Sequence, residues 1–408
     1  MTLVEFVPPT PHPLWKLCPQ MGITDVVVKV NPELTGLADP WRYETLSSIV
    51  SRLKSAGLNV VGLEGDPFDM TPIKEYGATE DFSHKEQEMQ ESFSGRKERK
   101  DRKDEFFTND NCSRIANSTR STRSTRLNSD EKDQDASREE ALSHYRELLE
   151  SMGKLGIKLL CYNFMVGKGW SRTGVREGRG GAKATYFSLK ELTPKKSDGS
   201  ANASPIQNVG ALAKTSDKSE LKISHDQVWA NYEYFIKAVM PTAEKCGVRM
   251  ALHPDDPCLD SLGGYARIFG SIEAYDRAYA IYPSPSNAVT FCQANFKLMG
   301  VDLADAARHF GKRIAFIHVR DVEGTKEDFT ELFHDQGDTD QFALMRTYRE
   351  LGLDVPVRGD HVPEMAYDRV LTPEGTPGYF TLGRLFANGY LKALLQGTGN
   401  PVNPVNPV

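Results

Sequence analysis

Four apolar runs in the later part of this 408-residue chain stop abruptly at a metal-ligand side chain. The first is Arg249-Met250-Ala251-Leu252-His253-Pro254-Asp255-Asp256-Pro257. Such a run suits a strand covered on both faces, and Pro254 has no N–H for a ladder, so the strand should end near His253. Ala288-Val289-Thr290-Phe291 then ends in Cys292, Arg313-Ile314-Ala315-Phe316-Ile317 in His318, and Val355-Pro356-Val357-Arg358-Gly359 in Asp360-His361. A lone histidine at a strand end is ordinarily a hydrogen-bonded structural residue. Four suitable ends in series change the reading, because the C-terminal strand ends of a parallel barrel share one floor and can converge on one divalent ion.

The rest of the chain supplies the remaining strands. Residues 3–7 form a weak candidate, 25–30 and 59–64 are clear apolar runs, and 157–164 delivers Asn163 to its end. Helical periodicity fills most gaps: residues 46–57 behind an Asp39 N-cap with Pro40 at the first helical position, then 141–155, 228–246, 262–281, 301–310, 342–351 and 382–395. Eight strands alternating with helices or insertions predict an α/β fold, a (β/α)8 TIM barrel. A doubly wound open sheet would alternate too, but no Gly-rich dinucleotide turn or phosphate loop follows an early strand.

One catalytic domain is expected over residues 1–396, with two polar flexible insertions. Residues 81–140 are dominated by Lys, Arg, Glu, Asp and Ser, with three copies of Ser-Thr-Arg, and hold too little apolar surface to offset the entropy of ordering. They are expected to be a disordered charged insertion. Residues 190–219 read as a low-complexity loop, and 397–408, with its Pro-Val-Asn repeat, as a flexible tail.

A net charge of -6 gives no general pull toward nucleic acid or an anionic membrane, so a small-molecule substrate is the default. No signal peptide or transmembrane run is evident, and six cysteines without paired short spacings do not make a disulfide framework, which points to a cytoplasmic protein.

The quartet of neutral imidazoles, a thiolate and a carboxylate suits zinc, iron(II) or manganese(II). His361, beside Asp360, is poised as general acid or base, or else merely orients that ligand. Asn163 and Arg172 are candidates for binding an anionic polyol, with a helix cap or loop tie as the alternative. Tyr379 can transfer a proton if it reaches the mouth, and otherwise packs between barrel and helix. Asp255 and Asp256 bind substrate hydroxyls or fix the His253 loop; His334, Asp338 and Asp340 complete a lid or cap a helix starting near Thr339.

Taken in order, Cys161-Tyr162-Asn163-Phe164-Met165, Trp170-Ser171-Arg172-Thr173, His253-Pro254-Asp255-Asp256-Pro257, Thr290-Phe291-Cys292, Phe316-Ile317-His318-Val319-Arg320, Asp360-His361 and Pro377-Gly378-Tyr379 resemble the iron/manganese-dependent mannonate dehydratases. The resemblance implies a xylose-isomerase-like barrel that dehydrates D-mannonate to 2-dehydro-3-deoxy-D-gluconate with Mn2+ or Fe2+ as cofactor, in hexuronate catabolism. By that resemblance His253, Cys292, His318 and Asp360 are metal ligands and His361 and Tyr379 handle protons. The first strand lacks the family's arginine and tryptophan, and the usual Arg-Pro-Asp-His-Gly reads Arg358-Gly359-Asp360-His361-Val362. An aldonate is the expected small-molecule partner, and a homodimer is a possible assembly. The competing readings are a metal-dependent sugar or sugar-acid isomerase or epimerase on the same barrel, against which the Cys292 thiolate argues, and a non-catalytic sugar-acid-binding protein.

Overall fold

The β-rich half of the expectation can be checked strand by strand in a computed structural model, which describes residues 1–30, 38–78, 112–167, 169–192 and 221–399. One continuous parallel sheet runs through Glu5–Val7, Asp25–Lys29, Asn59–Glu64, Leu159–Tyr162, Arg249–Leu252, Asn287–Cys292, Ile314–Val319 and Pro356–Gly359. It closes on itself because Thr2–Leu3 pairs with the last strand while Glu5–Val7, just beyond Val4, pairs with the next one. The ring is therefore the predicted (β/α)8 barrel, and the weakest strand candidate is the segment that shuts it.

Alternation along each strand decides what faces the interior. Val27, Leu159, Cys161, Ala251, Ala288 and Phe316 pack together inside the ring, whereas Val26, Val28, Leu160, Met250, Val289 and Ile317 join the larger core under the helices. Two residues beyond an inward position is inward again. Thus Ala251 leads to His253, Ala288 through Thr290 to Cys292, and Phe316 to His318. The ladder continues to the donors themselves, with His253 N–H on Tyr162 O at 2.7 Å and Asp360 N–H on Val319 O at 3.0 Å.

The outer layer follows its sequence signals with some corrections. The helix His225–Cys246 is capped by the Ser224 hydroxyl, runs on past Pro241 and ends at Gly247 in the left-handed region. Asp39 is not an N-cap. Its φ of 46° places it in a turn, and Arg42, which pairs with it, is the cap residue of the helix Tyr43–Ser55. Residues 262–281 are only partly helical, because Ser261–Leu262 and Tyr265–Ala266 form a hairpin before the helix Ile272–Ile281. Residues 112–140 of the expected disordered insertion belong to a 44-residue helix, Cys112–Leu155. No proline and, before Gly153, no glycine interrupts that segment. Arg138 stacks on Tyr76 and Tyr234, and Glu139 accepts from Tyr234 Oη. Residues 81–111 of the insertion, 193–219 of the low-complexity loop and 400–408 of the tail lie outside the described residues.

An unpredicted antiparallel sheet accompanies the barrel. Its strands are Gly174–Glu177, Lys183–Ser188, Val322–Thr325 and Asp328–Glu331, the last paired with Lys183–Ser188. Gly324, paired with Phe329 just before the hairpin turn, has φ of 116°, and a Cβ there would collide with Asp328 O. At the other end of the chain, Arg384 and Asn388 on the helix Thr381–Gly397 both bond the buried Glu5 carboxylate, tying the last helix to the first strand. Among the described residues no helix is long and apolar enough to cross a membrane.

Candidate metal centre

The four strand ends meet. One ligand atom from each of His253, Cys292, His318 and Asp360 lies within 4.8 Å of the others, and the two imidazole rings stand 5.2 Å apart between centroids. Each donor is prepared by its surroundings. His253 Nδ1 is 2.8 Å from Pro254 O, so Nδ1–H donates there and Nε2 keeps its lone pair for an ion. Burial pushes His253 down to about 4 and His318 well below its usual range, so both rings are neutral near pH 7. Burial raises the Cys292 thiol to about 12, against the pull of Arg320. For Asp360, burial opposes ionisation but His361, Arg358, His318 and Arg320 outweigh it, and the carboxyl is held well below its usual range.

These residues fit a divalent cation, and His318 supplies the test. It is 1% exposed, yet neither ring nitrogen has a hydrogen-bond partner. A buried imidazole left without partners is costly, and coordination removes that cost. A thiolate with a carboxylate also balances a 2+ charge. A second group, Glu64, Cys161 and His318, shares the same imidazole. It is the poorer cation site, because Arg358 already engages Glu64 at 2.5 and 3.1 Å. Glu64 Oε2 lies 3.7 Å from His318 Nε2, too far for a hydrogen bond.

His361 sits beside this quartet in a chain of short contacts. Its Nδ1 is 2.8 Å from Glu331 Oε1 and its Nε2 is 2.9 Å from Tyr379 Oη. The Trp170 ring meets it edge-on at 4.9 Å, and the Trp170 Nε1–H is buried without a partner. Burial and the Asp360 charge push the Tyr379 phenol well above its ordinary value, so it keeps its proton at neutral pH.

Beneath lies a dry network of charge. Asp256 grips Arg172 at 2.7 and 2.8 Å and Arg320 at 2.9 Å, while Glu331 takes Arg172 at 2.5 Å and Arg320 at 3.1 Å. Arg172 is thus brought to the site, 3.5 Å from His361 Nδ1, but as a fully buried member of this network. Asp255 is placed differently. Its carboxylate accepts from Phe269 N–H at 2.8 Å and faces Arg267 at 3.8 Å, which is the loop-fixing alternative. Asn163 Oδ1 accepts from Lys74 Nζ and from Met165 N–H, both at 3.1 Å. Asp340 caps the helix Gln341–Glu350, and Asp338 pairs with Lys297. His334 Nε2 contacts Val319 O at 2.8 Å.

Sequence reading missed Glu64, Arg320, Glu331 and Arg358 as members of the site. For Glu64, Arg320 and Arg358 a signal existed, since each stands at or next to an inward position near a strand end. Glu331 had none, because it arrives from the accessory sheet.

Known proteins share the family and the fold of this chain. Residues 116–402 match the family described as D-mannonate dehydratase (UxuA). A mannonate dehydratase of Streptococcus equi subsp. zooepidemicus is 30% identical over 291 residues, covering 67% of this chain and 78% of that one. Another, of Lachnoclostridium phytofermentans, is 31% identical over 287 residues, covering 64% and 76%. The crystal structure of mannonate dehydratase from Streptococcus suis serotype 2 superposes with a TM-score of 0.69 over 100% of this chain and 97% of that one, at 22% identity, and shares its fold.

Proposed function

Because the chain belongs to the D-mannonate dehydratase family, we propose that it converts D-mannonate to 2-dehydro-3-deoxy-D-gluconate and water, with Mn2+ or Fe2+ held by His253, Cys292, His318 and Asp360. The observation that carries this reading is the adjacency of that quartet to the His361–Tyr379 pair. A bound divalent ion supplies a Lewis acid that draws electron density from the carboxylate end of the substrate and so eases loss of the C2 proton.

The residues of the chain do the rest. His361, through Nε2, takes the proton when the C2–H bond breaks, and Tyr379 gives its proton to the C3 hydroxyl as the C3–O bond breaks and water leaves. The enol that remains becomes the 2-keto acid, and the proton on Nε2 returns to the Tyr379 oxygen 2.9 Å away. One proton is taken and one is given, so the pair ends as it began. Asn163, whose Oδ1 is already engaged, presents its amide N–H2 to a substrate oxygen. Cys18, Cys161, Cys246, Cys258 and Cys292 are free thiols, which supports a reducing compartment and a cytoplasmic location in this reading.

Purified protein supplied with Mn2+ or Fe2+ should form a 2-keto-3-deoxy acid from D-mannonate. Failure on D-mannonate and on its aldonate epimers would reject the assignment. Conversion of neutral ketoses instead would favour an isomerase.

A further inference from the structure

We propose that Glu331 is a positioning residue for this proton chemistry, holding a ring hydrogen of His361 on Nδ1 so that Nε2 faces Tyr379. The inference rests on the roles given to His361 and Tyr379 above and names the group that makes them possible. A neutral imidazole carries one N–H and one lone pair, and which nitrogen has which is set by the partner of the other. The nearer partner at Nδ1 is an acceptor, the Glu331 carboxylate at 2.8 Å, with the Arg172 guanidinium farther off at 3.5 Å. At Nε2 sits a hydroxyl that can donate, Tyr379 Oη at 2.9 Å. With one ring hydrogen, both contacts are satisfied by Nδ1–H to Glu331 and Tyr379 O–H to Nε2.

Glu331 is itself fixed from every side. It is 1% exposed, receives Arg172 Nε at 3.0 Å and Nη2 at 2.5 Å, pairs with Arg320 at 3.1 Å, and accepts from the Thr185 hydroxyl. Its role exceeds that of a counter-ion. Asp256 already binds both guanidiniums, Arg172 through two bonds, so neither arginine depends on Glu331 alone for its neutralisation. The His361 ring is flanked edge-on by Trp170 at 4.9 Å and by Tyr379 at 5.0 Å between centroids. The accessory sheet thereby gains a purpose, since its strand Asp328–Glu331 delivers the carboxylate and its partner Lys183–Ser188 carries Thr185.

The experiment is nitrogen NMR of 15N-histidine-labelled full-length protein loaded with Zn2+, which is diamagnetic, followed toward alkaline pH until the ring signals stop moving. His361 should show a protonated Nδ1 and a bare Nε2; a proton on Nε2 overturns the proposal. Glu331→Gln keeps an accepting oxygen between the two arginines, so it should keep this tautomer and a kcat for D-mannonate within about tenfold of the parent. Glu331→Met removes the acceptor at similar volume. It should yield mixed tautomers and a kcat lower by about 10- to 100-fold with KM moved less than about threefold. Unchanged kcat in Glu331→Met, or a loss confined to KM, refutes the role. Should Glu331→Met not fold, the spectrum of the parent protein decides. Absence of any aldonate turnover in the parent would reject the functional reading, and the tautomer would still stand or fall on its own spectrum.

Discussion

Replacing Asp256 by asparagine probes the charge network with a single atom. The carboxylate makes three charge-assisted contacts, two with Arg172 at 2.7 and 2.8 Å and one with Arg320 at 2.9 Å, and all three side chains are buried. Hydrogen bonds to charged groups contribute about 1.5–3 kcal/mol each. An amide keeps one accepting oxygen and turns an N–H2 toward a guanidinium, so roughly half of that total is lost and one buried positive charge goes uncompensated. The expected cost is about 3–5 kcal/mol, the range for breaking a buried pair. Its neighbour is the control. Burial raises the Asp255 carboxyl above its usual value, whereas at Asp256 Arg172 and Arg320 overcome burial and hold the carboxyl well below it. Asp255→Asn keeps an oxygen for Phe269 N–H and loses one longer ion pair, to Arg267 at 3.8 Å, so it should cost less than Asp256→Asn. Urea denaturation with an unchanged m-value gives both numbers. Because the folded-state value of Asp256 is depressed, its contribution is present above about pH 4 and lost below, so the gap between Asp256→Asn and the parent should narrow in acid. Equal costs at the two positions, or the reverse order, would refute the assignment of the network to Asp256.

Acid should weaken the fold in a second window. Burial lowers His334 to about 4, so the unfolded chain binds that proton first, and stability falls as pH drops from about 6.5 to about 4 while nothing changes above. His334→Gln, which can still donate to Val319 O, should flatten the curve of Tm against pH over that interval; an unchanged slope would count against it. Cys292→Ser and His318→Ala should each lower affinity for Mn2+ about tenfold or more, read by metal analysis after dialysis, and full retention would remove both from the ligand set. Phe296 stacks on Phe291 at 4.7 Å and touches Phe310 at 5.3 Å and Tyr275 at 5.5 Å, so Phe296→Ala should cost about 3–5 kcal/mol in the same urea assay. A cost under about 1 kcal/mol would mean that this aromatic layer repacks.

The meeting of the four strand ends was legible because its signal is local. An apolar run announces a strand, the strand fixes which side chains face inward, and the residue where the run stops falls at the mouth. His253, Cys292, His318 and Asp360 all obey that rule. Glu331, Arg320 and Arg358 did not stand out, because a lone charge in a sequence ordinarily marks a solvated face, and only tertiary contact shows that these are buried against one another. The helix beginning at Cys112 was hidden for a related reason. Its first turns carry none of the apolar spacing by which a packed helix is recognised, and intrinsic propensity is a weaker cue. Asp39 failed as a cap because Asp-Pro also opens a tight turn, and the choice between the two depends on packing that the dipeptide does not encode.

The four donors stand on neighbouring strands, the last four of the ring. A cation seated among them is therefore also a clasp that joins adjacent staves of the barrel, which otherwise meet through backbone bonds and the side chains between them. The earlier staves supply none of this quartet. Synthesis from the N-terminus lays down that unclasped side first, and the barrel can be neither shut nor clasped until residues 356–360 emerge, since the same stretch pairs with Thr2–Leu3 and carries Asp360. Closure of the ring and completion of the ion's cage thus fall to one short piece of chain.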